Sequence, residues 1–302
     1  MIGGCSDGQN ASLDSSQVHR AHPPGSPARM TILSWKLVAH HPTPPNDITT
    51  TSDIEQVVAL LRHHLPSVAV LETEWTDSQA KEFLTLQHEQ IPDYRHVEIL
   101  SSTSTKSGTL LVVSKQPFQS RQSRPCITYR MGDTEQHFRF GILDVTISSQ
   151  NTTSIRILAV SIKDKVFHPE GQSEMRRNEF RVVSRHVRRI IEAIPQSSLL
   201  LLGCLNDDPN SAGLRSLIYG TSTTPLTDLR PVDADGDAWT HYCPDDDRYY
   251  RIDYALLYAG ILRERPPIAS RVMDKLETRR LSLHRPLWVT WNAQTTPPSL
   301  GY

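Results

Sequence analysis

The sequence predicts an α/β fold, and three observations predict it. Residues from Thr31 to about Gln90 read strand, loop, helix, strand, helix. The middle of the chain is a succession of strand candidates. The longest amphipathic helix, over 172–194, runs directly into the wholly apolar strand Ser198-Leu199-Leu200-Leu201-Leu202-Gly203. Interleaved strands and helices of this kind pack as helices on sheets.

Taken in order, residues 1–29 are rich in Ser, Gly, Pro, Asn and Gln and read as a disordered tail, with Met30 an alternative start. Ile32 to Val38 reads as the first strand, and a Pro-rich loop follows over 42–47. Ser52-Asp53-Ile54-Glu55 has the form of a capping box, and Ile54, Val57, Val58, Leu61 and Leu65 continue it as an amphipathic helix ended by Pro66. Val68-Ala69-Val70-Leu71 is a buried strand ending at Glu72. A second capping box, Thr76-Asp77-Ser78-Gln79, opens a helix to about Gln90.

Strand candidates follow at 94–99, 108–114, 126–130, 137–147 and 154–162, with alternation clearest over Phe138 to Leu143. In the long helix Phe180, Val183, Val187, Ile190, Ile191 and Ile194 keep one face apolar. A polar turn at 206–210 precedes a short helix over about 211–219. Tyr250 to Leu257 and Pro286 to Trp291 are the last strands, and after Asn292 the composition is again that of a tail.

Composition narrows the function classes. The 302 residues carry 32 Lys+Arg and 33 Asp+Glu, a formal charge of -1. That balance disfavours a strongly basic nucleic-acid binder. Cys5, Cys126, Cys204 and Cys243 form no C-x-x-C pair, so neither a disulfide scaffold nor a zinc knuckle is indicated. No apolar run approaches the ~20 residues of a membrane helix. Ile2-Gly3-Gly4-Cys5 has the form of a lipoprotein cleavage site but no apolar stretch precedes it. The expectation is a cytoplasmic protein; oligomeric state is not fixed by the sequence.

Polar residues stand at strand ends: Lys36, Glu72, Ser161, Asn206, Asp253 and His284. In α/β folds such positions carry catalytic groups. Their order along the chain is more specific than any one of them.

Over residues 31–292 the sequence resembles the endonuclease/exonuclease/phosphatase superfamily. Ile32-Leu33-Ser34-Trp35-Lys36 is similar to a first strand ending S-W-N, and Val70-Leu71-Glu72 to L-Q-E. Gly108 to Pro117 resembles G-x-x-x-L-S-x-x-P, and Leu158 to Lys163 falls where members have a strand ending H-L-K. Gly203-Cys204-Leu205-Asn206-Asp207 falls on G-D-F-N-D, and Arg251-Ile252-Asp253-Tyr254 matches R-I-D-Y. Ser282-Leu283-His284-Arg285-Pro286 falls on S-D-H-R-P. Arg176-Arg177-Asn178-Glu179 resembles the R-R-x-E helix, and Trp239-Thr240-His241-Tyr242 the W-T-H-Y segment, of a bacterial subgroup.

The resemblance implies a four-layer α/β sandwich: two packed mixed β-sheets with helices on both outer faces, within one domain over 30–292 between tails at 1–29 and 293–302. It also implies phosphoester hydrolysis assisted by Mg or Mn. The Glu72 position holds the hard cation through carboxylate oxygen. The G-D-F-N Asp handles the attacking water, and the Asn206 position orients substrate. The His284 position donates to the phosphoryl oxygen, and the Asp253 position fixes that imidazole. Trp239 and Tyr242 either line the substrate cleft or pack their loop.

Glu72, Asn206, Asp253 and His284 keep the pattern; Lys36, Ser161, Cys204 and Leu283 replace Asn, His, Asp and Asp. Losing one general base costs ~10²–10⁴ in rate. An ammonium at Lys36 beside Glu72 would supply one positive charge where the metal supplies two, so weak or absent magnesium binding is expected. Glu74 and Asp164 are the nearby carboxylates that could rescue a site. Cys204, His284 and Asp253 have the composition of an activated-thiol arrangement; the alternative is that Cys204 is a small buried filler, and that is the expectation.

The family reading is therefore a catalytically impaired copy. The alternatives are an active phosphoesterase or nuclease with a remodelled site, and a non-catalytic binding or scaffold protein. The partner classes are a phosphoester-containing ligand or nucleic acid. Arg176, Arg177, Arg181, Arg185, Arg188 and Arg189 mark the long helix either as a phosphate-contacting stripe or as a solvated face. His40-His41 and His63-His64 read as surface pairs, and Asp245-Asp246-Asp247 as a polar loop.

Overall fold

The computed structural model describes residues 29–38, 51–104, 106–148, 154–220, 225–260 and 268–292. The predicted tails up to residue 28 and after Asn292, the Pro-rich loop and His40-His41 lie outside the described residues. The elements are β1 (Arg29–Leu37), α1 (Thr51–His64), β2 (Val68–Thr73), α2 (Asp77–Gln90), β3 (His96–Ser101), β4 (Thr109–Ser114), β5 (Phe118–Arg121), β6 (Thr128–Met131), β7 (Thr134–His137), β8 (Leu143–Ser148) and β9 (Ser154–Ala159). They continue with α3 (Gln172–Ala193), β10 (Ser198–Cys204), α4 (Ala212–Tyr219), β11 (Thr227–Asp228), β12 (His241–Cys243), β13 (Arg248–Tyr250), β14 (Asp253–Tyr258), β15 (Ile268–Val272), α5 (Leu276–Leu281) and β16 (Leu287–Asn292).

Two six-stranded mixed sheets form the centre, in the orders β15-β16-β1-β2-β4-β3 and β11-β14-β10-β9-β8-β5. Side-chain alternation builds the layers. Ile32, Val68, Val70, Leu200, Leu202 and Ala255 meet between the sheets. Leu33, Trp35, Ala69 and Leu71 face the other way, onto α1 and α2. Leu199, Leu201, Tyr254 and Leu256 pack beneath α3 and α4. The result is the expected α/β sandwich, with helices outside two facing sheets.

Local signals explain most boundaries. Thr76 caps α2 reciprocally with Gln79, as the sequence predicts. Ser211 accepts from Leu214 N–H and opens α4. Leu65 does not continue the α1 face. Pro66 disfavours helical backbone before it, so Leu65 turns to φ 45° and is 47% exposed. Ile194 likewise sits at the C-cap of α3, half-exposed rather than in the apolar stripe.

The alternating run Phe138 to Ile142 is a bend, not a strand. Gly141 has φ 74°, and a Cβ there would lie 1.9 Å from the Arg124 carbonyl oxygen. The bend sends Phe138 into the core under α3 and Phe140 into the core between the sheets. Full burial of such rings is worth ~1.5–3 kcal/mol each, which outweighs the strand alternation of the sequence.

Candidate functional site

The site lies where the layer between the sheets opens. β1 and β2 run parallel with Lys36 paired to Glu72 in register. In the facing sheet β10 and β14 run antiparallel with Cys204 paired to Asp253. Each of the four continues the inward-facing parity of its strand, so apolar side chains give way to polar ones at the same rim. Gly203 permits the close approach beside it: a Cβ there would lie 2.0 Å from the Val160 carbonyl oxygen.

Lys36 Nζ lies 2.9 Å from Glu72 Oε1, with side-chain exposures of 13% and 5%. Ser161 Oγ donates to the same Oε1 at 2.7 Å. Glu72 Oε2 is buried and has no hydrogen-bond partner among the described residues. Burial opposes the Lys36 charge, but Cys204, Glu72 and Asp253 together outweigh it and hold the ammonium well above its usual range. Burial, then Asp253, pushes the Cys204 thiol well up, so at neutral pH the anions that hold Lys36 are Glu72 and Asp253.

His284 Nδ1 lies 2.8 Å from Asp253 Oδ2, both buried. Burial raises the Asp253 carboxyl, yet the His284 contact, Thr240 and Lys36 bring it below the usual range. The backbone braces this pair. Trp35 Nε1 donates to the His284 carbonyl at 2.8 Å, and His284 N–H donates to Ser282 Oγ at 3.0 Å. The Asp253 N–H donates to Thr240 Oγ1 at 3.0 Å.

Asn206 adopts φ 50°, a left-handed conformation Asn tolerates. Its Nδ2 donates to the Ile162 carbonyl at 2.7 Å, and its Oδ1 accepts from Cys204 Sγ at 3.2 Å. Leu283 is half-buried, and its carbonyl accepts from Tyr242 N–H at 3.1 Å. The structure thus brings Lys36, Glu72, Ser161, Cys204, Asn206, Asp253 and His284 to one rim. Cys204, Asp253 and His284 have donor atoms within 4.8 Å of one another. That set of thiol, carboxylate and imidazole has the softness of a zinc site, not of the oxygen-ligated Mg or Mn the resemblance implies. The thiol donates to Asn206 Oδ1 and is held well above its ordinary range by burial, so Cys204 stands as a protonated, buried group.

Of the two carboxylates that could rescue a metal site, Glu74 is exposed and Asp164 pairs with Lys163. Among the described residues, those that line the cleft beside the rim do not include Trp239 or Tyr242. The Trp239 ring covers the Arg285 guanidinium at 3.8 Å, and Tyr242 OH donates to Asp247 at 2.9 Å. Between them Thr240 is fully buried and His241 half-buried. Thr240 supports Asp253, and the His241 ring lies 4.4 Å from that of His284. Burial and the neighbouring His284 lower His241 to about 4.

Beside the rim opens a cleft of about 390 Å³. Lys36, Lys106, Arg139 and Lys163 line it against Asp164 and Glu179. Glu179, from the R-R-x-E segment, accepts from Tyr129 OH at 3.0 Å and from Lys163 N–H at 2.6 Å; burial pushes it up to about 8 despite them. The basic lining comes from four separate segments and had no local sequence signature.

The model of the Endonuclease/Exonuclease/phosphatase family matches residues 49–301. This chain belongs to that family. Hydrolysis of phosphoester bonds is the reaction of the endonuclease/exonuclease/phosphatase family, and its enzymes generally use a divalent metal. No curated protein matches the sequence significantly. Among solved structures, beta toxin from Staphylococcus aureus is similar at TM-score 0.63 and 10% identity, covering 88% of this chain and 100% of its own. The 3′ phosphatase NExo from Neisseria, bound to product DNA hairpin, gives 0.60 and 19%, covering 87% and 99%. Humanized D. rerio TDP2 gives 0.57 and 14%, covering 88% and 100%. Identities this low carry the fold alone. No helix among the described residues is long and apolar enough to cross a membrane.

Proposed function

We propose that this chain is a member of the endonuclease/exonuclease/phosphatase family that binds phosphoester-containing ligands in its basic cleft but has lost the family's metal-dependent hydrolysis. One observation carries the reading: Lys36 Nζ lies 2.9 Å from Glu72 Oε1, on the carboxylate that the family pattern assigns to the metal. The donor set does not fit Mg or Mn. One Glu72 oxygen is taken by an ammonium and a hydroxyl, and the other stands alone. A hard dication wants about six oxygen ligands, and here a thiol replaces the next carboxylate. A fixed ammonium also repels a dication entering beside it.

What remains is suited to holding an anion. Lys36, Lys106, Arg139 and Lys163 border the cleft, and low-dielectric walls strengthen their field. Nucleic acid and small phosphoesters are the two ligand classes. The 30–292 unit is the whole of this binding domain on this reading, and a cytoplasmic setting is consistent with reduced thiols at Cys126, Cys204 and Cys243.

A remodelled but active phosphoesterase is the second reading, and the intact His284–Asp253 contact at 2.8 Å favours it. The two are separated by a phosphatase and nuclease panel with and without Mg or Mn, alongside calorimetric metal titration. The expected result is no turnover and no metal heat for the natural chain. Turnover abolished by both Glu72→Ala and His284→Ala would establish the active reading instead.

A further inference from the structure

The arginines of α3 divide into two groups. Arg177 Nη1 reaches Glu174 at 2.6 Å, and Arg188 Nε lies 3.8 Å from Glu192. Arg181 donates to Asn178 at 2.5 Å, and Arg176 donates to the Asp164 carbonyl at 3.1 Å. These four are satisfied on or beside their own helix. Arg185 and Arg189 are different. They stand one turn apart, and neither has a side-chain hydrogen bond or ion pair among the described residues.

Both line a pocket of about 180 Å³ with Arg124, whose guanidinium likewise has no partner among the described residues. The Arg124 backbone is held in place: its N–H donates to Ile142 O at 2.8 Å and its carbonyl accepts from Ile142 N–H at 3.1 Å. Among the described residues no acid lines the pocket. Asp144 touches the pocket wall through His186, and its charge is spent inward. It takes Arg156 at 2.7 and 2.6 Å and His186 Nε2 at 2.8 Å, and is 1% exposed. His186 is thereby fixed as a wall of the same pocket.

Three guanidiniums around one hollow repel one another unless an anion enters. Guanidinium forks match phosphate oxygens, and Thr128 at the rim adds a hydroxyl. The volume lies below the ~300–1,000 Å³ that holds a whole small molecule, so the pocket suits one charged group of something larger. It is not the cleft: α3 gives Met175 and Glu179 to the cleft but Val182, Arg185 and Arg189 to this pocket. From Glu179 to Arg189 the helix rises ~15 Å. We propose that Arg124, Arg185 and Arg189 form a second anion site that receives a phosphate group, independent of the Lys36–Glu72 rim.

The group has two sources, a free polyphosphate or a polynucleotide backbone. Tripolyphosphate is titrated by calorimetry, and a fluorescein-labelled single-stranded oligonucleotide by anisotropy, into the full chain. Arg124→Gln, Arg185→Gln and Arg189→Gln are each expected to weaken binding at least tenfold. Arg177→Gln and Arg188→Gln, which remove already paired charges, are expected to stay within twofold. For the oligonucleotide the log–log salt slope should also fall by ~0.7 for each pocket arginine removed. All three pocket arginines are exposed, and a thermal melt verifies that the variants stay folded. Loss for tripolyphosphate alone makes the source a free phosphate; loss for the oligonucleotide, with or without tripolyphosphate, makes it a polynucleotide. No binding by the natural chain, or equal weakening by the paired-arginine variants, overturns the site.

Discussion

The rim of the cleft has two halves that differ in kind. On one side Asp253 and His284 keep the family pattern. On the other, Lys36, Ser161 and Cys204 replace it around a retained Glu72. In the retained half, Trp35 Nε1 and Ser282 hold the His284 peptide, and Thr240 holds that of Asp253. The altered half adds contacts between its own side chains, Lys36–Glu72 and Ser161–Glu72, while its Lys36 carbonyl accepts from the same Ser282 Oγ at 2.7 Å and the retained Asn206, bonded to Cys204, donates to the Ile162 carbonyl.

The sharpest way to break the comparison is to strand a charge in the altered half. Lys36→Met leaves the buried Glu72 with the Ser161 hydroxyl but no opposing charge, and Glu72→Gln leaves Lys36 with no carboxylate in salt-bridge contact, Asp253 acting only from beyond it. Removing one member of a buried pair costs ~3–5 kcal/mol, whereas replacing both is often nearly neutral. Urea melts of the two single variants and of Lys36→Met with Glu72→Gln should show two large losses and a double variant close to the natural chain. Additive losses in the double variant would mean that the two side chains do not depend on each other, and the charge-replacement account would fail.

A smaller loss is expected from the retained half. Asp253→Asn removes the carboxylate but keeps a side chain of the same shape beside His284. What is lost is a charge-assisted hydrogen bond, worth about 1.5–3 kcal/mol. The Trp35 and Ser282 contacts to the His284 backbone remain. A thermal melt showing Asp253→Asn as costly as Lys36→Met would erase the distinction between the halves.

Much of this was legible in sequence because it lies on strands with one polar end. Lys36 and Glu72 each terminate an apolar run, and adjacent parallel strands bring such ends together. The sandwich followed from the same runs. What sequence did not offer depends on segments without apolar pattern. β15 reads Ile268-Ala269-Ser270-Arg271-Val272, a half-exposed edge strand, and α5 has only six residues. Short, polar elements are fixed by their neighbours, not by their own periodicity. His241 was missed for this reason: it gains meaning only because the 240–242 segment bridges to His284. The same holds for Arg124, which meets Arg185 and Arg189 only through the bend at Gly141 and its pairing with Ile142.

His241 offers the finest test, because acid should reach the two sides of the His284 ring at different pH. On one face lies Asp253, whose carboxyl is held below its usual value. Its contribution to stability is present above the unfolded carboxylate range and is lost only as pH falls through the lower folded value. On the other face lies His241, lowered from 6.5 to about 4. Between those values the unfolded chain binds a proton that the folded chain refuses, so stability rises with pH across the window and falls as pH drops from 6.5 towards 4. Two imidazoles 4.4 Å apart do not both carry charge at low cost. His241→Phe keeps a ring against His284 and removes the titration. Urea melts at pH 6.5 and 4 should show the natural chain losing ~1–2 kcal/mol more than the variant, after allowance for the partial exposure of the ring. Equal losses would mean that His241 takes up its proton freely in the folded chain, and that the bracing of His284 rests on backbone contacts alone.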